Sequence, residues 1–324
     1  PQTLRAEVVL IGGGHTHALV LRRWAMDPMP GVRLTLINPG PSAPYTGMLP
    51  GHIAGHYPRE ALQIDLIRLA RFAVARVVLD RAISIDRAAR RIVLAGGRTI
   101  AFDVASINVG ITSGPDDVPG FQRFGTGAKP LDRFADTWAA LDQSQPIAVL
   151  GGGVGGVELA MAMAHARGTG AGLTVIERAE ILNAHPMRQA LMARMATMGI
   201  TVLEQAQAVR INADAVALAD GRSVPSGFTV GAAGALVPGW LAETGLDRHG
   251  DGSLRVGPTL QTSDPTIFAA GDCAHMDHAP RPKTGVFAVR QAPVLHDNLR
   301  AAATARPMKT YRPQKNYLKL VLLG

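Results

Sequence analysis

The pattern of apolar and polar residues predicts the same unit twice along the chain. A short apolar run, typical of a buried strand, leads into glycines and then into helical spacing, at residues 8–18 and again at 148–160. After each helix, a second apolar run ends at a polar residue, Asn38 in the first copy and Glu177 in the second. That residue lies 26 positions after the first glycine in both copies. The pattern therefore indicates a duplicated strand–turn–helix–strand unit.

The remaining pattern completes both copies in the same way. A helix, several short strands and a closing strand follow each unit, and the closing strands lead to Gly110 and Gly234. A further buried strand at 266–270 ends in Gly271 and Asp272, and helical spacing resumes around 287–299. Because the first half still lacks a strand for its sheet, we expect the chain to return to it here.

This organisation predicts an α/β fold with two Rossmann-like dinucleotide-binding domains, the second inserted in the first. The predicted boundaries place the first domain at 1–118 and 251–310, the inserted domain at 119–250, and the start of an incomplete C-terminal region at 311–324. A chain of 324 residues is long enough for two domains that each bury a core.

The glycines of the second copy carry the strongest chemical signal. Gly151 permits a sharp turn, Gly153 lets a pyrophosphate approach the backbone, and Gly156 lets the helix lie close on the strand. The N–H groups of the first helical turn then face the phosphates. Glu177, 21 residues after Gly156, stands where a carboxylate takes the hydroxyls of an adenosine ribose. Two such units in one chain indicate two bound nucleotides.

The first copy departs from this pattern. His15 and His17 lie in its glycine turn, His17 in place of the third glycine, and Asn38 replaces the acid. Two interpretations of His17 stay open, a donor to a phosphate or a ring packed against the strand. The Asn38 amide can still bond a ribose hydroxyl. Since no carboxylate or thiol lies near the histidines in sequence, we expect no metal site.

Two other stretches have alternative interpretations. Residues 44–52 mix turn formers with apolar residues, which suits either an ordinary surface loop or a loop that covers a flavin ring. Asp272 would either reach the sugar-alcohol and phosphate part of a flavin dinucleotide or cap a helix. The two roles of Asp272 do not exclude each other.

Composition narrows the classes of function. With 47% hydrophobic and 18% charged residues the chain is typical of a globular protein. It has no apolar run of the ~20 residues that span a bilayer and no secretory signal pattern, so we expect a cytoplasmic protein. The single cysteine, Cys273, excludes chemistry that uses a cysteine pair within the chain. The basic residues, with a net charge of +8, are scattered and aromatics make up only 5%, so we expect no nucleic-acid partner.

The chain resembles the pyridine nucleotide-disulfide oxidoreductase superfamily of two-domain flavoproteins, and within it the type II NADH dehydrogenases. The resemblance covers nearly the whole chain and rests on both glycine turns, on the closing strands and on residues 267–272. Residues 12–17, 44–51 and 281–291 further resemble the subgroup found fused to selenophosphate synthetase.

This resemblance implies FAD in the first domain and NAD(P)H in the second, and of the two nucleotides we expect NADH. NADPH is the less favoured nucleotide, because its 2′-phosphate would meet the carboxylate of Glu177. Glu158 is the candidate catalytic residue, as a side chain that positions the nicotinamide; the alternative is a first-turn glutamate favoured by the helix dipole. The candidate cofactor-binding residues are Gly12, Gly14, His15, His17, Asn38, Thr46, Gly110, Gly151, Gly153, Gly156, Glu177, Gly234, Gly271 and Asp272.

The resemblance also bears on the electron acceptor. In type II NADH dehydrogenases a glutamine-rich helix lines the quinone pocket, and its first two glutamines are Val286 and Arg290 here, which leaves Gln291. The family's C-terminal region, which supplies homodimer and peripheral membrane contacts, would begin near residue 317.

We therefore expect an FAD-dependent NAD(P)H oxidoreductase that passes hydride from NADH to FAD and electrons on to an unidentified acceptor, with quinone as one candidate. Two alternatives stay open. One is an FAD-binding electron-delivery or regulatory module for a partner like selenophosphate synthetase. The other is a flavin-dependent monooxygenase of related fold.

Overall fold

The secondary structure follows the duplicated pattern of the sequence. The computed structural model describes residues 4–315 and 321–323. Within them, the α-helices are α1 (His15–Met26), α2 (Leu49–Ile53), α3 (Leu66–Phe72), α4 (Phe121–Phe124), α5 (Leu131–Ala139), α6 (Val154–Ala166), α7 (Arg188–Thr197) and α8 (Gly285–Ala303). The strands are β1 (Ala6–Ile11), β2 (Val32–Asn38), β3 (Ser42–Pro44), β4 (Gln63–Asp65), β5 (Arg76–Leu79), β6 (Ala82–Asp86), β7 (Arg91–Leu94), β8 (Thr99–Ala101), β9 (Val104–Ile107), β10 (Gly125–Gly127), β11 (Ile147–Leu150), β12 (Leu173–Ile176), β13 (Thr201–Leu203), β14 (Ala208–Ile211), β15 (Ala215–Leu218), β16 (Ser223–Pro225), β17 (Phe228–Gly231), β18 (Leu254–Val256), β19 (Ile267–Ala269) and β20 (Ala274–Met276).

Five parallel strands form the sheet of the first unit, in the order β19-β9-β1-β2-β5. In the centre of this sheet, Ile11 of β1 lies beside Ile37 of β2 and Ile107 of β9. Every residue of β1 and β9 is buried, as expected for parallel strands covered on both faces. The late strand β19 pairs with β9, so the chain does return to the first sheet.

The second unit repeats this arrangement. Its parallel sheet has the order β10-β17-β11-β12-β13, with β11 and β12 in the places of β1 and β2. Each unit also carries a three-stranded antiparallel sheet, β6-β7-β8 in the first and β14-β15-β16 in the second. The fold is therefore the predicted α/β architecture with two Rossmann-like sheets. The edge strand β10 was not predicted, because its sequence, Gly-Thr-Gly, contains no apolar side chain.

Each unit is assembled from three stretches of chain. The first comprises Pro1–Tyr45, Gln63–Ile111 and Val237–Tyr317, and the second Thr46–Leu62, Thr112–Leu236 and Leu318–Gly324, as far as these are described. The chain enters and leaves the second unit at Thr112 and Leu236, whose backbones exchange two hydrogen bonds of 2.9 Å. The boundaries of this stretch of the second unit lie at 111/112 and 236/237. The sequence pattern predicted them at 118/119 and 250/251.

The stretch Thr46–Leu62 lies in the second unit, although the predicted boundaries put it in the first. Its helix α2 packs on α6, and the side chains of Leu49, Ile53 and Leu62 are buried in the apolar core of the second unit. The stretch is therefore a packed element and not an ordinary surface loop.

The third glycine of the second turn meets a hard steric limit. A Cβ placed on Gly156 would lie 2.0 Å from the carbonyl oxygen of Gly151, whereas a Cβ on the neighbouring Gly155 would have no atom within 4 Å. Both residues lie in α6, so their substitution by alanine changes helix propensity equally. Only one of the two substitutions must push the helix away from the strand.

We expect Gly156→Ala to destabilise the protein by about 2 kcal/mol, because the backbone has to shift to admit the methyl group. The matched variant Gly155→Ala should be neutral or stabilising by up to about 1 kcal/mol, since it only gains helix propensity. Urea unfolding followed by circular dichroism measures both. Equal stability of the two variants would contradict the close approach of Gly156 to Gly151.

Candidate functional site

The second glycine turn presents an open helix N-terminus. β11 ends at Leu150, the chain turns through Gly151 at φ +117°, and Gly153 is the N-cap of α6 without a side-chain cap. A Cβ on Gly153 would meet no atom within 4 Å, so the space before the helix is free for a close ligand. The N–H groups and the positive helix end at this point suit a pyrophosphate.

The carboxylate of Glu177 holds this turn in place. Its Oε2 accepts a 2.7 Å hydrogen bond from the N–H of Gly152, and its Oε1 accepts one of 3.1 Å from the N–H of Ala179. Each carboxylate oxygen can accept a second hydrogen bond, so both stay available to ribose hydroxyls. Arg178 beside it is exposed.

Asn38 does the same in the first unit. Its Oδ1 accepts a 2.9 Å hydrogen bond from the N–H of Gly13, and its Nδ2 donates to the carbonyl of Gly40 at 2.7 Å. The duplication therefore extends to this bond between the second glycine of each turn and the polar side chain that ends the second strand. The sequence pattern showed the two polar residues but not that they close the turns.

His17 is buried and packs against the strands. Its Nδ1 lies 2.7 Å from the carbonyl oxygen of Gly12 and its Nε2 lies 2.8 Å from the hydroxyl of Ser106. Burial lowers the pKa of the imidazole to about 4, so the ring is neutral. Both ring nitrogens are engaged, so neither is left to donate to a phosphate. The geometry therefore favours the second interpretation of His17, a ring packed against the strand. His15 begins α1, half-exposed, with its ring centroid 5.1 Å from that of Tyr45.

Asn108, which sequence reasoning missed, ties together the carboxyl ends of three strands. Its carbonyl oxygen accepts from the N–H of Gly14 at 3.2 Å, and its Oδ1 accepts from the N–H of His17 at 3.2 Å. Its Nδ2 donates to the carbonyl of Ala270 at 2.8 Å. Asn108 thereby places the first glycine turn next to the Gly271 turn. The only signal in the sequence was a polar residue directly after a buried strand.

A small, open cleft lies beside Gly271. The N–H of Gly271 donates to Oε1 of Gln291 at 2.7 Å, so this glutamine fixes the turn. Thr284, the N-cap of α8, makes no side-chain cap, and its buried hydroxyl has no hydrogen-bond partner among the described residues. The residues that line the cleft are Gly271, Asp272, Ala274, Met276, Arg281, Pro282, Lys283, Thr284, Phe287, Ala288 and Gln291.

The first unit thus gathers two helix N-termini at one sheet edge. Helices α1 and α8 are joined there by a 2.8 Å hydrogen bond from the hydroxyl of Thr16 to the carbonyl of Ala288. The glycine turn before α1 and the cleft before α8 are therefore neighbours. Uncapped helix ends, an orphaned hydroxyl and basic side chains suit a long polar, anionic ligand such as a flavin dinucleotide.

Glu158 lies in the second turn of α6 and not in its first, so the helix-dipole interpretation of this residue is wrong. Its Oε1 accepts a 2.7 Å hydrogen bond from the N–H of Leu322, and burial raises the pKa of the carboxyl. It is the only carboxylate of an otherwise largely apolar helix. Thr46 and Gly234 also belong to the second unit, whereas Gly110 is exposed in the first.

Cys273 is fully buried, and burial raises the pKa of its thiol to about 11. It is therefore a packing residue. In the described part of the chain, no three His, Cys, Asp or Glu side chains are grouped so that they could bind a metal ion. Nor does any helix there combine the length and apolar character needed to span a membrane.

The duplicated Rossmann-like sheets and glycine turns define a two-domain dinucleotide-binding protein. The chain belongs to the pyridine nucleotide-disulphide oxidoreductase family, whose model matches residues 6–292. Members of this family are NAD(P)H-dependent flavoprotein oxidoreductases, and the family implies FAD and NAD(P)H as cofactors.

The names of individual relatives refer to different activities and electron acceptors. The chain is 23% identical to the NADH dehydrogenase-like protein YutJ of Bacillus subtilis, over 85% of this chain and 78% of that one. It is 29% identical to the demethylphylloquinone reductase NdbB of Synechocystis, over 68% of this chain and 58% of the relative. A solved ferredoxin reductase from Rhodopseudomonas palustris superposes with a TM-score of 0.80 at 25% identity, over 95% of this chain and 78% of its own.

The neutral, buried state of His17 predicts a pH dependence of stability. The folded pKa of about 4 lies below the ordinary value of 6.5, so protonation favours the unfolded chain. The contribution of His17 to the free energy of unfolding is complete above pH 6.5 and falls by about 3 kcal/mol as the pH drops through 4. Urea unfolding at several pH values measures this slope.

His17→Gln should show a smaller loss of stability between pH 6.5 and 4 than the unsubstituted protein does. The exposed His56 provides the control, since His56→Gln should keep the original slope. If His17→Gln and His56→Gln lose stability in parallel over this range, the neutral buried imidazole is not the source of the effect.

Proposed function

We propose that the chain is an FAD-dependent NADH oxidoreductase that passes electrons on to an acceptor. The observation that carries this proposal is the duplicated turn, in which the second glycine N–H is bonded to the polar residue ending the next strand, in both units. When bound, FAD supplies the chemistry, because it accepts hydride from the nicotinamide and releases electrons to the acceptor.

The residues of the first unit fit the binding of FAD. The N-terminus of α1, reached through Gly12 and Gly14, binds the pyrophosphate, and Asn38 bonds a ribose hydroxyl of the adenosine. Asp272 would hold the sugar-alcohol part, and the N-terminus of α8 with Thr284 would hold the ring system. Gly271 and Gln291 keep that turn in register through their hydrogen bond.

The residues of the second unit fit the binding of NADH. Gly151, Gly153 and Gly156 let its pyrophosphate approach the N-terminus of α6, and Glu177 takes the hydroxyls of the adenosine ribose. Glu158 orients the nicotinamide in this proposal. Because its Oε1 is engaged by the N–H of Leu322, that role falls to Oε2.

The acceptor does not follow from the family, since one relative is named for a quinone and a solved structure for a ferredoxin. Gln291, the one glutamine left from the quinone-pocket pattern, spends its side chain on Gly271 and on the sulfur of Met276. Gln291 is also only 2% exposed, so it offers little surface to a quinone, which favours an acceptor of another class.

The first test is whether the protein carries FAD and whether NADH reduces it. We expect a yellow protein that releases one FAD per chain on acid precipitation and whose visible flavin band bleaches under anaerobic NADH. Asp272→Ala should bind FAD at least about tenfold more weakly, whereas the exposed Asp220→Ala should not change FAD affinity. A flavin that stays oxidised under NADH would instead favour the regulatory module. A protein that cannot be reconstituted with FAD would refute the proposal.

The second test concerns the choice of nicotinamide. We expect stopped-flow reduction by NADH to exceed that by NADPH at least about tenfold per unit concentration, because the 2′-phosphate meets the Glu177 carboxylate as a like charge. Glu177→Gln should narrow this ratio while its amide oxygen still accepts from Gly152, so the turn is preserved. Arg178→Ala should widen the ratio, since an arginine there partly accommodates a 2′-phosphate. Equal rates with the two nucleotides would mean that Glu177 does not set the preference.

A further inference from the structure

Nearly all the net charge of the chain comes from one segment. Residues 278–315 contain eight Lys and Arg but a single acid, Asp297, whereas the rest of the chain has 25 Lys and Arg against 24 Asp and Glu. The basic residues were expected to be scattered along the chain. That expectation is wrong for the basic residues that no acidic residue balances. A charge excess of this kind usually marks the surface that meets an anionic partner.

Some cations of this segment are paired. Asp297 accepts from Lys309 at 2.6 Å, and Arg300 pairs with Asp27 at 3.1 Å. Lys283 lies 3.6 Å from a carboxylate oxygen of Asp251. These pairs involve three of the eight cations of the segment.

Of the five other cations, Arg306 follows the end of α8, and we call the remaining four the basic face: Arg281, Arg290, Arg312 and Lys315. Arg281 donates to the backbone carbonyls of residues 313 and 314 at 3.4 and 3.1 Å. Arg281 and Arg290 both lie near the buried ring of Tyr311, where their charges oppose the rise in its pKa caused by burial. Arg290, Arg312 and Lys315 are exposed, and none of these three pairs with a carboxylate among the described residues.

The basic face borders the cleft proposed for the flavin. Arg281 belongs to both, since it also lines the cleft beside Asp272 and Thr284. On α8, Val286, Val289 and Arg290 follow one another at helical spacing on the side opposite the buried Phe287 and Gln291. The centre of this surface is thus a small apolar patch, with Val289 40% exposed, and its rim is positive.

The composition of this surface favours an acidic protein over other anionic partners. Among the described residues it has no exposed aromatic side chain, because Tyr311 is 4% exposed. These residues therefore offer neither a stacking platform for nucleic-acid bases nor an anchor for a lipid interface. A small apolar centre with a charged rim is typical of transient protein contacts, in which charge speeds encounter and release stays fast.

We propose that the basic face docks an acidic, one-electron carrier protein, which is the electron acceptor of this oxidoreductase. This inference rests on the proposed function, and it deepens it by naming the class of acceptor. The reaction balances with two carrier molecules: one NADH yields NAD⁺, one proton that passes to water, and two electrons, of which each carrier takes one. A carrier docked here would lie beside the cleft from which its electron comes.

The test uses an acidic [2Fe–2S] ferredoxin as the probe. We expect the protein to bind and reduce it under NADH with a kcat/KM that falls steeply with added salt, and to reduce a basic c-type cytochrome poorly. The double variant R290E/R312E should lose at least about tenfold in kcat/KM for the ferredoxin and most of the salt dependence. The matched control R210E reverses an exposed, unpaired arginine of the second unit and should change kcat/KM less than twofold.

Two further measurements separate this inference from the proposed function. Stopped-flow reduction by NADH alone should be the same in R290E/R312E as in the unsubstituted protein. Calorimetric binding of the oxidised ferredoxin requires no turnover, so it tests the docking surface even if NADH proves not to be the donor. An equal loss in R210E, or ferredoxin reduction insensitive to both salt and R290E/R312E, would overturn the inference. Binding to phosphatidylserine vesicles that is lost in R290E/R312E while ferredoxin reduction is retained would also overturn it, and would assign the face to a membrane surface.

Discussion

One hydrogen bond, made twice, is the constraint on which both nucleotide sites depend. The N–H of the second glycine in each turn must be satisfied without a side chain that would block the approach of a ligand. Asn38 accepts from Gly13 at 2.9 Å and Glu177 from Gly152 at 2.7 Å. The same polar side chain therefore closes the turn and, in the proposed sites, keeps hydrogen-bonding capacity for a ribose hydroxyl. This dual use explains why a residue 26 positions after the first glycine has to be polar, while its charge is free to differ between the two units.

The two units differ in how the helix meets the strand behind the turn. In the second unit, the carbonyl oxygen of Gly151 approaches Gly156 so closely that a Cβ on Gly156 would lie 2.0 Å from it. In the first unit, His17 stands in the same place and bonds the equivalent carbonyl of Gly12 through its ring. One solution removes the side chain, and the other makes it a hydrogen-bonding bridge to Ser106. Burial lowers the pKa of this imidazole to about 4 and so keeps the ring neutral.

Most of the fold followed from hydrophobic patterning, because both parallel sheets are built from short, fully buried runs that stand out in the sequence. The return of β19 to the first sheet was predictable for the same reason. The placement of Thr46–Leu62 in the second unit was not, since Leu49, Ile53 and Leu62 show where they are buried only once α6 is present to cover them. The structural roles of Asn108 and Gln291 were not predicted either, because these side chains accept or donate between segments that are far apart in sequence.

The groups that face the phosphates in the proposed sites help to explain the positive net charge of the chain. Residues 8–18 and 148–160, which form the two glycine turns and the helix starts, contain no Lys or Arg. Both turns therefore offer backbone N–H groups and helix dipoles, and not side-chain cations, to a pyrophosphate. The glycine turns consequently do not account for the net charge of +8, most of which lies in residues 278–315, where Arg281 and Lys283 line the cleft. Unpaired charge at a surface raises solubility and also attracts molecules of opposite charge. The concentration of cations beside one cleft is therefore best explained by an anionic partner that approaches the cleft from outside.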